Sequence, residues 1–120
     1  MNERDVVITP LPQADGQLKN RPAVVLRKMP PFGDLLVCGV SSQVHLAVND
    51  FDEVIDAQQA DFVASGLKTG SVIRLGFLAT LPPRSFVGKI GAISSERHLR
   101  LLTRLSDHLK PPAMTPVPSP

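Results

Sequence analysis

The sequence predicts a mainly β (α+β) fold: a small, strongly bent sheet or barrel closed by one C-terminal amphipathic helix. Three observations predict it. Short β-branched or apolar runs recur from Asp5 to Ile93, each stopped by proline, glycine or a polar cluster. The clearest helical period starts only at Ser94 or Ser95. With 120 residues and 42% apolar content, the chain suffices for one core and not for two.

Taken in order, Asp5-Val6-Val7-Ile8-Thr9 reads as a first strand stopped by Pro10 and Pro12. A mobile polar loop centred on Asp15-Gly16 follows, and a second strand runs from Pro22 to about Lys28. Arg21 precedes a proline, which favours extended backbone, so it is expected at the mouth of that strand. After the turn cluster Met29–Asp34, Leu35 to Val40 is a third strand, apolar enough to be covered on both faces. It ends in Ser41-Ser42-Gln43. Phe51 to Asp56 reads as a short strand, and Ala57 to Ala64 as a helical turn or two closed by Gly66. Ser71 to Leu81 is a long strand ended by Pro82-Pro83; Phe86 to Ile93 is another, weakened by Gly88 and Gly91. In the final helix Leu99, Leu102, Leu105 and Leu109 make an apolar stripe, reinforced by Leu101 beside it, with Arg97, Arg100, Arg104 and Asp107 largely opposite. The domain is expected over 1–110, and residues 111–120, with five prolines and no charge, read as a disordered tail.

The formal charge of +2 hides an asymmetry. Asp50, Asp52, Glu53, Asp56 and Asp61 lie in a segment without Lys or Arg, leaving thirteen basic against six acidic residues elsewhere. A basic face with a separate, solvated or partner-facing acidic edge suits an anionic partner. No Tyr or Trp is present, which argues against recognition mainly by base stacking. The single Cys38 sits in an apolar run and reads as a small core residue. No signal peptide and no membrane-spanning stretch are visible, so a cytoplasmic protein without a membrane partner is expected.

The candidate chemistry gathers at two strand ends. Arg21 suits capture of a phosphate or carboxylate, and Ser41 and Ser42 end the strand expected beside it. An arginine and a hydroxyl at one rim suffice for cleavage of RNA by its own 2′-hydroxyl. That reaction requires an anchored phosphate, stabilised charge on the transition state, and protons moved at both ends. His45 is close enough in sequence to reach the same rim, whereas His98 and His108 are ten apart on the helix. No metal-ligand cluster and no cofactor motif is present, and none is expected.

In order, the chain carries an N-terminal DVV strand, a polar Asp-Gly loop, KNRPAVVL, LVCGVSSQ, SVIRL, and finally GKIGAIS before an amphipathic helix. This succession resembles the MazF/PemK toxins over roughly residues 4–109. The resemblance implies an SH3-like barrel that dimerises and cuts single-stranded RNA without a metal, and that is neutralised by a cognate antitoxin whose tail covers the RNA site. It puts the catalytic arginine on Arg21 and replaces a strand-end threonine by Ser41. The loop from Gln13 to Asn20 becomes RNA-lining, with Lys19 on a phosphate, and Ser42 and Gln43 join the RNA-binding set. Gly76, Phe77 and Ala79 stand where many members carry polar side chains, which implies an altered base preference. Two alternatives keep the fold without the chemistry. One is a gyrase-binding toxin, whose relatives act through the end of the last helix, here running into prolines; the other is a nucleic-acid-binding regulator.

Overall fold

Alternation at a two-residue period organises the sheet. In β1 (Asp5–Pro12), β2 (Leu18–Met29) and β3 (Asp34–Ser41) successive side chains point to opposite faces, and both faces are covered. Val6, Val24, Leu26, Cys38 and Val40 pack on one side; Val7, Ala23, Val25, Leu35 and Val37 pack in a second cluster. This double coverage is why AVVL and LLVCGV are continuous apolar runs rather than alternating ones. β4 (Glu53–Ile55), β5 (Ser71–Leu81) and β6 (Gly88–Ala92) complete a six-stranded antiparallel sheet of order β4-β5-β3-β2-β1-β6, curled into a half-barrel. A short helix, α1 (Phe62–Ser65), ends on Gly66 in the left-handed region at φ 75°, and α2 (Ser95–Leu109) packs Leu101 and Leu105 into the first cluster. The computed structural model describes residues 1–112, so the tail expected over 111–120 lies, beyond Pro112, outside the described residues.

The first hairpin is longer than expected. β1 continues through both prolines and β2 starts at Leu18, not Pro22, so Lys19, Asn20 and Arg21 are strand residues opposite Leu11, Pro10 and Thr9. Two features explain this. The carbonyl of Ile8 accepts from Val87 on the β6 side, and Pro10 and Pro12 turn the same way, past the last β1–β6 pair at Ile8↔Gly88. Their missing N–H therefore costs no ladder bond. Asp15-Gly16 is a hairpin turn rather than a mobile loop: Gly16 has φ 83°, and Asp15 accepts the Gln17 N–H at 2.9 Å.

The helix buries only part of the expected stripe, Leu105 and, less fully, Leu102, together with Leu101 beside it. Leu99 and Leu109 are 66% and 70% exposed, while Leu101, Leu105 and the guanidinium of Arg97 face inward. Arg97 belongs there because the acidic segment meets it. Its Nε and Nη2 donate to the two oxygens of Asp61 at 2.8 and 3.0 Å, and its Nη1 donates to Glu53 at 2.8 Å. Arg100 (2.9 Å) and Arg104 (3.2 Å) also reach Glu53. The acids at 53 and 61 are thus an internal clasp for α2, not a solvated or partner-facing edge. Ser94 caps the helix by accepting the Arg97 N–H, and its own N–H donates to Asp61. Among the described residues no buried side-chain nitrogen or oxygen lacks a partner.

At the other end of α1, Gly66 and Gly91 allow backbone to meet backbone. A Cβ on Gly66 would strike the Ile90 carbonyl, and one on Gly91 the Ala64 and Ser65 carbonyls. Gly91 thus serves this close approach, while the β1–β6 bulge lies at Ile90. Burial pushes the Cys38 thiol up to about 12, as befits a core residue.

Removing Arg97 leaves the Asp61 carboxylate without its arginine partner and takes from Glu53 one of its three. Arg97→Leu is expected to lower unfolding free energy by about 3–5 kcal/mol in urea titrations. The hydrogen bonds from Arg97 hold the Asp61 carboxyl down at about 2, below its ordinary 3.8. The ionised form is the one favoured by folding, so its contribution is complete above pH 4 and lost as pH falls toward 2. Asp61→Asn is expected to flatten the stability profile in that window, and an unchanged acid limb contradicts the assignment.

Candidate nucleic-acid interface

Where β2 leaves β3, a groove opens. β2–β3 pairing stops at Ala23↔Gly39, because the next residue on β2, Pro22, has no N–H to offer β3. Continuing that register by two residues sets Arg21 opposite Ser41, just past the last ladder bond. The odd-numbered residues of both strands share a face, so Arg21 and Ser41 lie on the same side as Ala23 and Val37. The resulting groove has a volume of about 1120 Å³. Its walls come from the β1–β2 turn, the end of β3, the segment after α1 and the middle of β5.

Five of the seven residues singled out from sequence line this groove: Gln13, Arg21, Ser41, Ser42 and Gln43. Lys19 and Asn20 do not; they are exposed on the hairpin that leads into it. None of the three histidines lines it either. His98 bonds the Leu26 carbonyl at 2.8 Å, His108 lies against Phe51, and His45 stays exposed on a one-turn 3-10 helix.

The polar groups are held in a definite way. Gln13 Nε2 donates to the Leu11 carbonyl at 3.0 Å, and its Oε1 accepts from Arg21 Nε at 3.3 Å. Gln13 is therefore a positioning residue that orients the guanidinium and leaves its two terminal nitrogens open. Ser41 Oγ accepts the Gln43 N–H at 3.1 Å, which leaves its hydroxyl proton free to donate into the groove. The groove can thus present a fixed cation and a hydroxyl donor to an anion, with exposed Ser42 and Gln43 beside them.

Residues not singled out as site residues complete the lining. Lys68 and Thr69 follow α1, and Arg74 stands on β5 with its guanidinium 5.9 Å from the centre of the Phe77 ring. Arg74 was visible only as one residue of SVIRL; nothing local marks a strand arginine as groove-facing. Among the described residues no three His, Cys, Asp or Glu side chains gather to hold a metal ion, and no helix is long and apolar enough to cross a membrane.

Gly39 forms part of the floor because the Phe77 ring sits over it. A Cβ there would lie 3.2 Å from Phe77 Cδ1 and 3.7 Å from Leu11 Cδ1. Gly39→Ala is expected to displace the ring and cost about 1–3 kcal/mol in thermal or urea unfolding. A variant as stable as the parent means the ring moves without resistance.

The family model for the PemK-like, MazF-like toxins of type II toxin-antitoxin systems matches residues 2–109. Among solved structures, the Mycobacterium tuberculosis toxin MazF-mt6 is similar, with a TM-score of 0.64 and 19% identity over 87% of this chain and 94% of that one. At that identity the likeness is one of fold. No curated protein matches the chain significantly.

Proposed function

Since the chain belongs to the PemK-like, MazF-like toxins of type II toxin-antitoxin systems, we propose that it is an endoribonuclease that cleaves single-stranded RNA at preferred short sequences, in the groove between β2 and β3. The observation that carries this reading is that Arg21 and Ser41 line one groove just past the point where β2 and β3 part. A phosphodiester seated there meets a guanidinium held by Gln13 and a hydroxyl whose proton is free to donate.

The chemistry follows from those groups. The 2′-oxygen of the strand attacks the adjacent phosphorus, the P–O5′ bond breaks, and the products are a 2′,3′-cyclic phosphate and a 5′-hydroxyl. Net, one proton moves from the 2′-oxygen to O5′. The nucleophile comes from the substrate, so the protein's work is anchoring, charge stabilisation and proton transfer. Arg21 anchors the phosphate and is assigned to the proton transfer; Ser41 donates to a phosphate oxygen. Ser42 and Gln43 contact the strand beside it, and Lys19 and Asn20 meet it where it passes the exposed hairpin. In this reading no resident metal takes part. The other partners proposed are those of a family toxin: a cognate antitoxin that covers the groove, and a second copy of the chain in a homodimer acting in the cytoplasm.

The test is long single-stranded RNA incubated with the purified protein in excess EDTA, with new ends mapped. The parent is expected to leave 5′-hydroxyl ends at a recurring short sequence. Arg21→Ala is expected to lose roughly 10²–10³-fold in rate, the range for removing one donor to a developing charge. Equal cleavage by both proteins, or intact RNA with both, overturns the proposal.

A further inference from the structure

The β5 strand is irregular at the groove. Cys38 pairs with Leu78, but the next residue on β3, Gly39, pairs with Arg74, so Leu75, Gly76 and Phe77 are looped out of register. The distortion brings the Phe77 ring onto the bare backbone of Gly39, beside Leu11. Arg74, at the start of the distortion, has its guanidinium 5.9 Å from that ring and makes no ion pair or side-chain hydrogen bond among the described residues. We propose that Phe77 and Arg74 form a stacking subsite for one nucleobase of the bound strand, with Phe77 as platform and Arg74 as the cation that closes over the base. The inference rests on RNA as the ligand of the groove and specifies how that ligand is read.

Three features carry it. The cation–ring distance is at the loose end of the attractive range of about 6 Å. A base inserted between the two groups needs about 7 Å, two stacking separations of ~3.5 Å, which a small swing of the long arginine side chain supplies. Among the described residues Arg74 has no carboxylate partner to leave behind when it moves. Next, the adjacent Gly76 and Ala79 offer no polar side chain to a base edge. A π-face is what this part of the wall has to offer, and stacking tolerates any base. Last, Arg21 and Arg74 line the same groove, so a cation for the phosphate and a platform for a base serve one strand.

The experiment uses short 2′-O-methyl RNA, which cannot undergo 2′-hydroxyl attack, carrying 2-aminopurine at successive positions. Binding to the full-length protein is followed by fluorescence and its salt dependence. At one position the parent is expected to quench the probe. Phe77→Leu, with an unchanged urea midpoint, is expected to weaken binding about 5- to 100-fold and abolish that quench, while Phe77→Tyr restores both. Arg74→Gln is expected to reduce the slope of log K against log salt by about 0.7, one cation contact on a single strand. A stable Phe77→Leu protein that binds and quenches like the parent overturns the subsite, as does a parent that does not bind. Stacking without cleavage of unmodified RNA overturns the nuclease reading and leaves the subsite standing; cleavage without stacking does the reverse.

Discussion

The buried guanidinium of Arg97 is the constraint on which the rest of the arrangement depends. It lies at the first turn of α2, yet its partners, Glu53 and Asp61, are 44 and 36 residues earlier in the chain. One side chain therefore ties the edge strand β4, the residue before α1 and the start of α2 together. A charge taken out of water is costly unless its donors are filled, and here Nε, Nη1 and Nη2 all have acceptors. With α1 held at Asp61 and pressed on β6 at Gly66, the segment Gly66–Thr69 has little choice of position. That segment is one wall of the groove.

The same clasp distributes charge across the surface. Glu53 takes Arg97, Arg100 and Arg104, and Asp61 takes Arg97 again, so the basic face of α2 is largely neutralised from within. Among the described residues the cations without carboxylate partners that line the groove are Arg21, Lys68 and Arg74, while α2 packs on the first cluster. A polyanion approaching this protein meets uncompensated positive charge where β2 and β3 part, not along α2. Pro22 has a matching role in the backbone: by withholding one N–H from β3 it ends the ladder and lets the two strand ends stand apart.

Much of this was legible in the sequence. The strands at Leu35–Val40 and Ser71–Leu81 stood out because they are long, apolar and bounded by polar or proline clusters. Ser94 and Gly66 marked helix ends because capping chemistry is local. The pairing of Arg21 with the Ser41 rim followed from adjacent strands ending in polar groups. What failed was non-local or directional. Arg97 looked like an outward charge, because a helical period says nothing of acids elsewhere in the chain. The prolines of β1 looked like stops, because their harmlessness depends on where β6 ends. Asp15-Gly16 is a hairpin signal in its own right, and the prolines on one side and charge on the other masked it. The Arg74–Phe77 juxtaposition arises from a three-residue distortion of β5 against β3, which no spacing in SVIRLGF reveals.

The account stands on the groove, rather than α2, as the surface that takes RNA. The most direct measurement is an NMR titration of the isotope-labelled protein with short 2′-O-methyl RNA. The account predicts that shift changes concentrate at the amides of Gln13, Ser41, Ser42 and Gln43 and at the Nε–H of Arg21, with Arg97, Arg100 and Arg104 unmoved. Changes confined to α2, or none in the groove at saturating RNA, would contradict it.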